Sequence, residues 1–261
     1  MTEPVLVERR GDVVVWTLNN PEARNPISDF QTIDELRAAV AEVDRDDSVR
    51  VAVLTGAGSA FSSGGNVKHM RDKEGMFAGT PAELREGYRR GIQRIPKALY
   101  HCAVPTIAAV NGPAVGAGCD LALMCDLRIA STTAKFAESF VKLGIIPGDG
   151  GAWFMQRQIG YQRAFELTLS GRVISADEAL AYGVVLEVVE PEQLMEAALA
   201  HAKRIAAHPP KATRLTKRLM KMAPDMELKP FLDVCAVFQG MCHNEPEHLE
   251  AVERLLARMK R

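Results

Sequence analysis

The sequence predicts an α/β fold, with a strand–helix core over residues 1–190 and a helical region over residues 191–261. Two observations carry this. Apolar runs rich in β-branched residues alternate with helical periodicity through the first two-thirds of the chain, the pattern of an α/β core. After Val188 the rhythm changes to successive helical segments punctuated by proline. That tail is too short to hold a core alone and needs a surface to pack on.

Residues 5–9 and 13–18 alternate about Gly11-Asp12, which predicts a β-hairpin. Residues 19–26 are a loop. Ser28, with Gln31 three residues on, has the form of a capping box for a helix over 29–44 that aligns Ile33, Leu36, Val40 and Val43. Residues 49–54 are a strand. Residues 66–80 carry mixed charge and glycine and predict an irregular, mobile lid. Pro81 opens a helix to about residue 100, broken or kinked at Pro96. Strands are expected at 106–110, 126–130 and 135–141, the last running into a turn, and helices at 119–124 and 150–159. The tail is expected to form helices over 191–207, 210–222, 228–242 and 245–261. Met220, Met222, Met226 and Met241 give it adaptable apolar surface, suited to a subunit interface or to packing back on its own core.

The chain has 261 residues, 47% of them hydrophobic and 25% charged, with a formal net charge of −1. That balance suits a globular protein and gives no footprint for nucleic acid or an anionic membrane. No apolar run has membrane-spanning length, and residues 1–10 are too charged for a leader. The five cysteines show no C-x-x-C spacing and read as reduced thiols of a cytoplasmic protein. The six histidines form no H-x-x-x-H pair, so no metal site is expected.

Two strand-to-turn junctions carry the chemistry. One runs from a buried strand through Gly56, Gly58, Gly64 and Gly65. The other runs from 106–110 through Asn111-Gly112-Pro113 and small residues into the helix that begins near Gly118. Small residues let another group approach the backbone, and a helix start leaves amides unpaired at the positive end of its dipole. Each junction can offer an N–H to one negative oxygen, although tight helix packing explains the same residues. A dinucleotide-binding glycine loop is disfavoured, because G-x-G-x-x-G from Gly56 requires glycine where Phe61 stands.

The segments Phe61-Ser-Ser-Gly-Gly-Asn-Val-Lys-His-Met70, Ala109-Val-Asn-Gly-Pro-Ala-Val-Gly-Ala-Gly-Cys-Asp-Leu-Ala-Leu-Met-Cys-Asp126 and Leu143-Gly-Ile-Ile-Pro-Gly-Asp-Gly-Gly151 together resemble the crotonase (enoyl-CoA hydratase/isomerase) superfamily. The resemblance implies a spiral of ββα units with a helical C-terminal trimerisation region, assembled as a homotrimer or dimer of trimers. It implies an acyl-CoA thioester substrate and no cofactor beyond the coenzyme A moiety. The amides of Gly65 and Ala117 would hold the thioester oxygen. Ala23, Arg24, Pro26, Ser63 and Lys68 would lie along the coenzyme A.

The acid–base residues depart from the family pattern. The first hydratase glutamate maps onto Asp120 and the second onto Phe140, which moves no proton. Glu138 and Asp149 are the carboxyls available to substitute. Isomerases and dehalogenases of the family carry their carboxylate one position before Asp149, where this chain has Gly148. Asp120 also fits a helix-packing role, and Asp149 also fits a helix N-cap. Enoyl-CoA isomerisation tolerates the loss of one glutamate better than hydration does, since one base can shuttle a proton between two carbons. A non-catalytic acyl-CoA-binding or assembly subunit is the alternative.

Overall fold

The computed structural model describes residues 3–259; Met1, Thr2, Lys260 and Arg261, and with them the ends of the two expected regions and of the last expected helix, lie outside the described residues. In chain order the elements are β1 (Val5–Arg10), β2 (Val13–Leu18), α1 (Phe30–Arg45), β3 (Val51–Gly56), α2 (Val67–Asp72), α3 (Pro81–Arg90), α4 (Arg94–His101), β4 (Thr106–Val110), β5 (Ala114–Val115) and α5 (Ala117–Met124). They continue with β6 (Leu127–Ser131), β7 (Lys135–Ala137), α6 (Gly151–Ile159), α7 (Tyr161–Ser170), β8 (Val173–Ser175), α8 (Ala176–Tyr182), β9 (Glu187–Val189), α9 (Leu194–Ala206), α10 (Pro210–Met222), α11 (Leu228–His243) and α12 (Pro246–Met259). This is the α/β core with a helical C-terminal region that the pattern predicted, arranged as the spiral that the resemblance implied.

The main sheet has the order β1-β2-β3-β4-β6-β9 and is parallel apart from the β1–β2 hairpin. Alternation along β2 sends Trp16 and Leu18 to one face and Val13 and Val15 to the other, and both faces are covered. α1, α4 and α5 pack on the first face. α9 packs on the second with Leu194, Ala198, Ala202 and Ala206, a four-residue stripe of mostly methyl groups that lets the helix lie close to Val51, Val53 and Ile107. A small sheet, β5-β7-β8, holds the site-bearing loops.

Several local expectations are corrected. Asp29, not Ser28, caps α1: its carboxylate accepts from the Thr32 amide at 2.8 Å. Ser28 is buried and its hydroxyl accepts the Asn66 amide at 2.9 Å instead. The segment 66–80 is ordered into α2, capped by Asn66, and a helical turn Gly75–Phe77 that buries Met76. The helix after Pro81 breaks at Gly91 (φ −102°, ψ −118°) and not at Pro96, which falls in the first turn of α4, where its missing N–H costs nothing. The strand from Lys135 ends at Ala137, where the backbone turns into the helical segment Ser139–Leu143.

α10 is docked by a buried ion cluster. The Lys217 ammonium donates to Asp126 at 2.7 Å and to the Val104 carbonyl at 2.8 Å, and Lys221 reaches the other Asp126 oxygen at 3.1 Å. Burial alone would raise the Asp126 carboxyl, but Lys217 and Lys221 hold it below its ordinary range. Replacing one member of a buried pair strands its partner, so Lys217→Met is expected to cost on the order of 3 kcal/mol in urea unfolding. A loss below about 1 kcal/mol would show that apolar contacts dock α10. α11 and α12 bury no residue and leave Leu232, Val237, Leu249 and Leu255 exposed. Among the described residues no helix is long and apolar enough to cross a membrane.

Candidate active site

The two glycine-rich junctions are clamped together by backbone. Ser62 and Ala114 form a parallel bridge, with the Ser62 amide donating to the Pro113 carbonyl at 3.2 Å and the Val115 amide to the Ser62 carbonyl at 3.0 Å. Glycine is required at this contact. A Cβ on Gly118 would lie 2.3 Å from the Ser62 carbonyl oxygen, and one on Gly64, already at φ +77°, would lie 2.8 Å from the Ala117 nitrogen. The clamp places Gly65 and Ala117 on one narrow cavity together with Met70, Phe77, Tyr88, Phe140 and Asp149. Neither the Gly65 nor the Ala117 amide has an acceptor among the described residues. The cavity has a volume of about 20 Å³, room for about one water. Met70 lies over Gly65, where a Cβ would sit 2.4 Å from its methyl carbon.

Asn25 and Ser62 hold this arrangement and were not singled out from the sequence. The Asn25 side-chain amide donates to the carbonyls of Ala57 and Ala60, both at 2.9 Å, and the Ser62 hydroxyl donates to the Asn25 carbonyl at 2.7 Å. Asn25 takes φ +56°. An asparagine before proline in a loop was the available signal.

Asp120, Glu138 and Asp149 come together from three segments. They are 0%, 1% and 3% exposed, and none of their oxygens has a hydrogen-bond donor among the described residues. Asp149 lines the cavity; it does not cap α6, whose N-cap is Gly150 with no side-chain cap. Asp120 lies behind it. A Cβ on Gly151 would sit 1.9 Å from the Asp120 carboxyl, so only glycine leaves that space open. Asp120 is not among the residues lining the cavity: the other carboxyls flank it, and its contact is with the start of α6. Glu138 lies at the bend where β7 ends. Phe140 occupies the cavity wall.

Burial raises all three carboxyls. The effect on Asp120 is large and is increased by the charges of Asp149 and Glu138; Glu138 is pushed up to about 7, and Asp149 also rises. The folded protein thus binds these protons more tightly than the unfolded chain. Their stabilisation is complete below the ordinary carboxylate range and is lost as pH rises through the folded values. For Glu138 the window runs from 4.5 to about 7, worth on the order of 3 kcal/mol. We expect a higher melting temperature near about pH 5 than near about pH 8, the reverse of a fold whose carboxylates are salt-bridged. A calorimetric scan series that shows equal or rising stability across that window would contradict the shared-burial account.

Of the residues expected along the coenzyme A, Ala23, Arg24, Pro26 and Ser63 come together. The Ser63 amide donates to the Arg24 carbonyl at 2.8 Å, its hydroxyl to the Ala23 carbonyl at 3.3 Å, and Pro26 bridges Gly64. Arg24 is exposed at φ +61°. Lys68 is exposed in the first turn of α2, and among the described residues neither cation is ion-paired. A larger cavity, about 770 Å³, lies elsewhere, between α10 and the core beside Tyr100 and Trp153, and holds none of the expected site residues.

The family model for enoyl-CoA hydratase/isomerase matches residues 8–255. The chain is 41% identical to (E)-benzylidenesuccinyl-CoA hydratase of Thauera aromatica over 229 residues, 87% of this chain and 85% of the relative. It is 34% identical to 1,2-epoxyphenylacetyl-CoA isomerase of Escherichia coli over 262 residues, 99% of this chain and 97% of the relative. The crystal structure of enoyl-CoA hydratase from Bacillus anthracis superposes with a TM-score of 0.90 at 31% identity, covering 98% of this chain and 96% of that one. With the fold, the paired glycine junctions and the near full-length matches in agreement, the chain belongs to the enoyl-CoA hydratase/isomerase family of the crotonase superfamily.

Proposed function

We propose that the protein binds an acyl-CoA thioester, stabilises its enolate between the amides of Gly65 and Ala117, and moves a proton with Asp149. One observation carries this reading: Gly65, Ala117 and Asp149 line the same cavity, and both amides lack an acceptor among the described residues. Each backbone donor aimed at a developing oxyanion contributes roughly 3–4 kcal/mol, and the N-terminus of α5 adds its dipole at Ala117. Asp149, raised by burial, has the proton affinity suited to taking a proton from a carbon beside the thioester and returning it. The exposed Arg24 and Lys68 would meet the coenzyme A phosphates, with Ala23, Pro26 and Ser63 along the nucleotide.

Phe140 in the cavity wall favours double-bond isomerisation over hydration, because it stands where the second hydratase glutamate would hold a water. Hydration is the second reading, supported by relatives named as hydratases. A thioester binder without turnover is the third. No cofactor beyond the coenzyme A of the substrate is needed. The apolar residues left exposed on α11 and α12 suit a homotrimer or dimer of trimers, and the unpaired cysteines suit a cytoplasmic setting.

The test is proton exchange with a panel of enoyl-CoAs in heavy water, read by mass spectrometry. Deuterium at the α- or γ-carbon is expected. Aromatic enoyl groups belong in the panel, since Phe77, Tyr88 and Phe140 line the cavity. Tight binding without exchange across the panel would favour the non-catalytic reading. The cavity must widen to admit an acyl group, and Met70 is the side chain in the way. Met70→Ala is therefore expected to lower KM for a bulky acyl-CoA severalfold with little change in kcat; an unchanged KM would place the entrance elsewhere.

A further inference from the structure

We propose that Asp120 and Glu138 are positioning residues for the proton that Asp149 handles: the three side chains form one buried chain, Glu138–Asp120–Asp149, that shares protons behind the cavity. The proposal rests on the reading of Asp149 as the acid–base group. Ionised carboxylates are acceptors only, so carboxylates in contact repel unless a proton lies between them. Here all six oxygens are buried and without a hydrogen-bond partner, the Cys119 thiol is the side-chain donor beside Glu138, and Asp120 lies against both Glu138 and Asp149. None of the three is ion-paired among the described residues. Arg172, which lines a closed crevice with Glu138, is bonded to Glu166 and Glu178. A proton on Asp120, donated to Glu138, turns that contact into a hydrogen bond and leaves a neutral carboxyl rather than a second charge against Asp149.

Three backbone features build the chain. α5 carries Asp120, the end of β7 carries Glu138, and the turn before α6 carries Asp149. Gly151 leaves the gap through which Asp120 meets that turn. The other titratable groups against the chain are Cys119 beside Glu138, Tyr88 beside Asp149, and Arg172. Burial raises both Cys119 and Tyr88, which therefore keep their protons near neutrality.

The proton balance is simple. When Asp149 takes a proton, the substrate C–H bond breaks, its electron pair moves to the thioester oxygen, and an O–H bond forms on Asp149. That O–H bond then breaks as one forms on Asp120, while the proton on the other Asp120 oxygen passes to Glu138. One negative charge moves the opposite way, and the reverse sequence returns a proton to carbon. Asp149 is thereby reset without a water in the cavity.

Infrared spectroscopy of the substrate-free protein tests this without relying on activity. A protonated-carboxyl carbonyl band that shifts in heavy water is expected near neutral pH, weakened in Glu138→Gln and in Asp120→Asn. A wild-type spectrum with no such band overturns the proposal. The pH profile of proton exchange is the second readout. Glu138→Gln is expected to lower the rate roughly tenfold and to move the neutral limb by about one unit or more, with partial recovery in Glu138→Asp. A Glu138→Gln profile superimposable on wild type overturns the positioning role. If Glu138→Gln fails to fold, the wild-type spectrum decides. A wild-type band accompanied by no turnover of any acyl-CoA sinks the reading of Asp149, and the positioning role with it, while leaving the shared protons in place.

Discussion

Ala117→Pro is expected to lower kcat/KM for an enoyl-CoA by about 10²-fold or more while leaving the protein folded. The substitution isolates one N–H. Ala117 is the first residue of α5, following Gly116 at φ +54°, and its amide has no acceptor among the described residues. Proline is favoured at a first helical position because its ring presets φ and the amide is unpaired there anyway. Gly116 lacks the Cβ through which proline restricts the residue before it. The cost to stability is therefore small, and the effect falls on the oxygen the amide would meet. The pyrrolidine ring also occupies part of that oxygen's place, so KM rises as kcat falls. Steady-state kinetics together with a melting curve read both quantities. A folded variant with wild-type kcat/KM would remove Ala117 from the chemistry, and Gly65 alone could not support an enolate.

Much of this site was legible because it is written in residue types that admit few conformations. Glycine at 64, 65, 116 and 118 and the Asn111-Gly112-Pro113 turn announced close backbone approach, and the structure shows why: methylene-sized additions at Gly64 and Gly118 collide with the opposite junction. The sheet was legible for a similar reason, since strands buried on both faces read as continuous apolar runs. What failed was competition between nearby polar residues. Ser28 and Asp29 both suit an N-cap, and the choice fell to Asp29 because the Asn66 amide, distant in sequence, claims the Ser28 hydroxyl. Asp149 has the spacing of a cap as well, but its carboxyl turns to Asp120 and the cavity. β8 and β9, three residues each, are too short to show a period. No local pattern could show that Glu138, Asp120 and Asp149 meet, because three separate segments bring them together.

Asp149→Asn is expected to lower kcat by about 10²- to 10⁴-fold, the range of a lost general acid–base group, and to leave the fold as stable as wild type or more so near neutral pH. The two effects have one source. A carboxyl held without a donor is a cost to the fold, recoverable when the group is made neutral. The amide keeps the shape of the side chain and can donate to Asp120, relieving repulsion among carboxyls. It cannot take a proton from carbon. The stability gain is expected to appear above the ordinary carboxylate range and to vanish at acid pH, where wild-type Asp149 is protonated already. This pattern separates catalysis from packing. A purely structural Asp149 would yield a variant that loses activity and stability together, or neither. Opposite signs, with acyl-CoA affinity retained by calorimetry, would mark a residue whose burial is tolerated for the proton it moves.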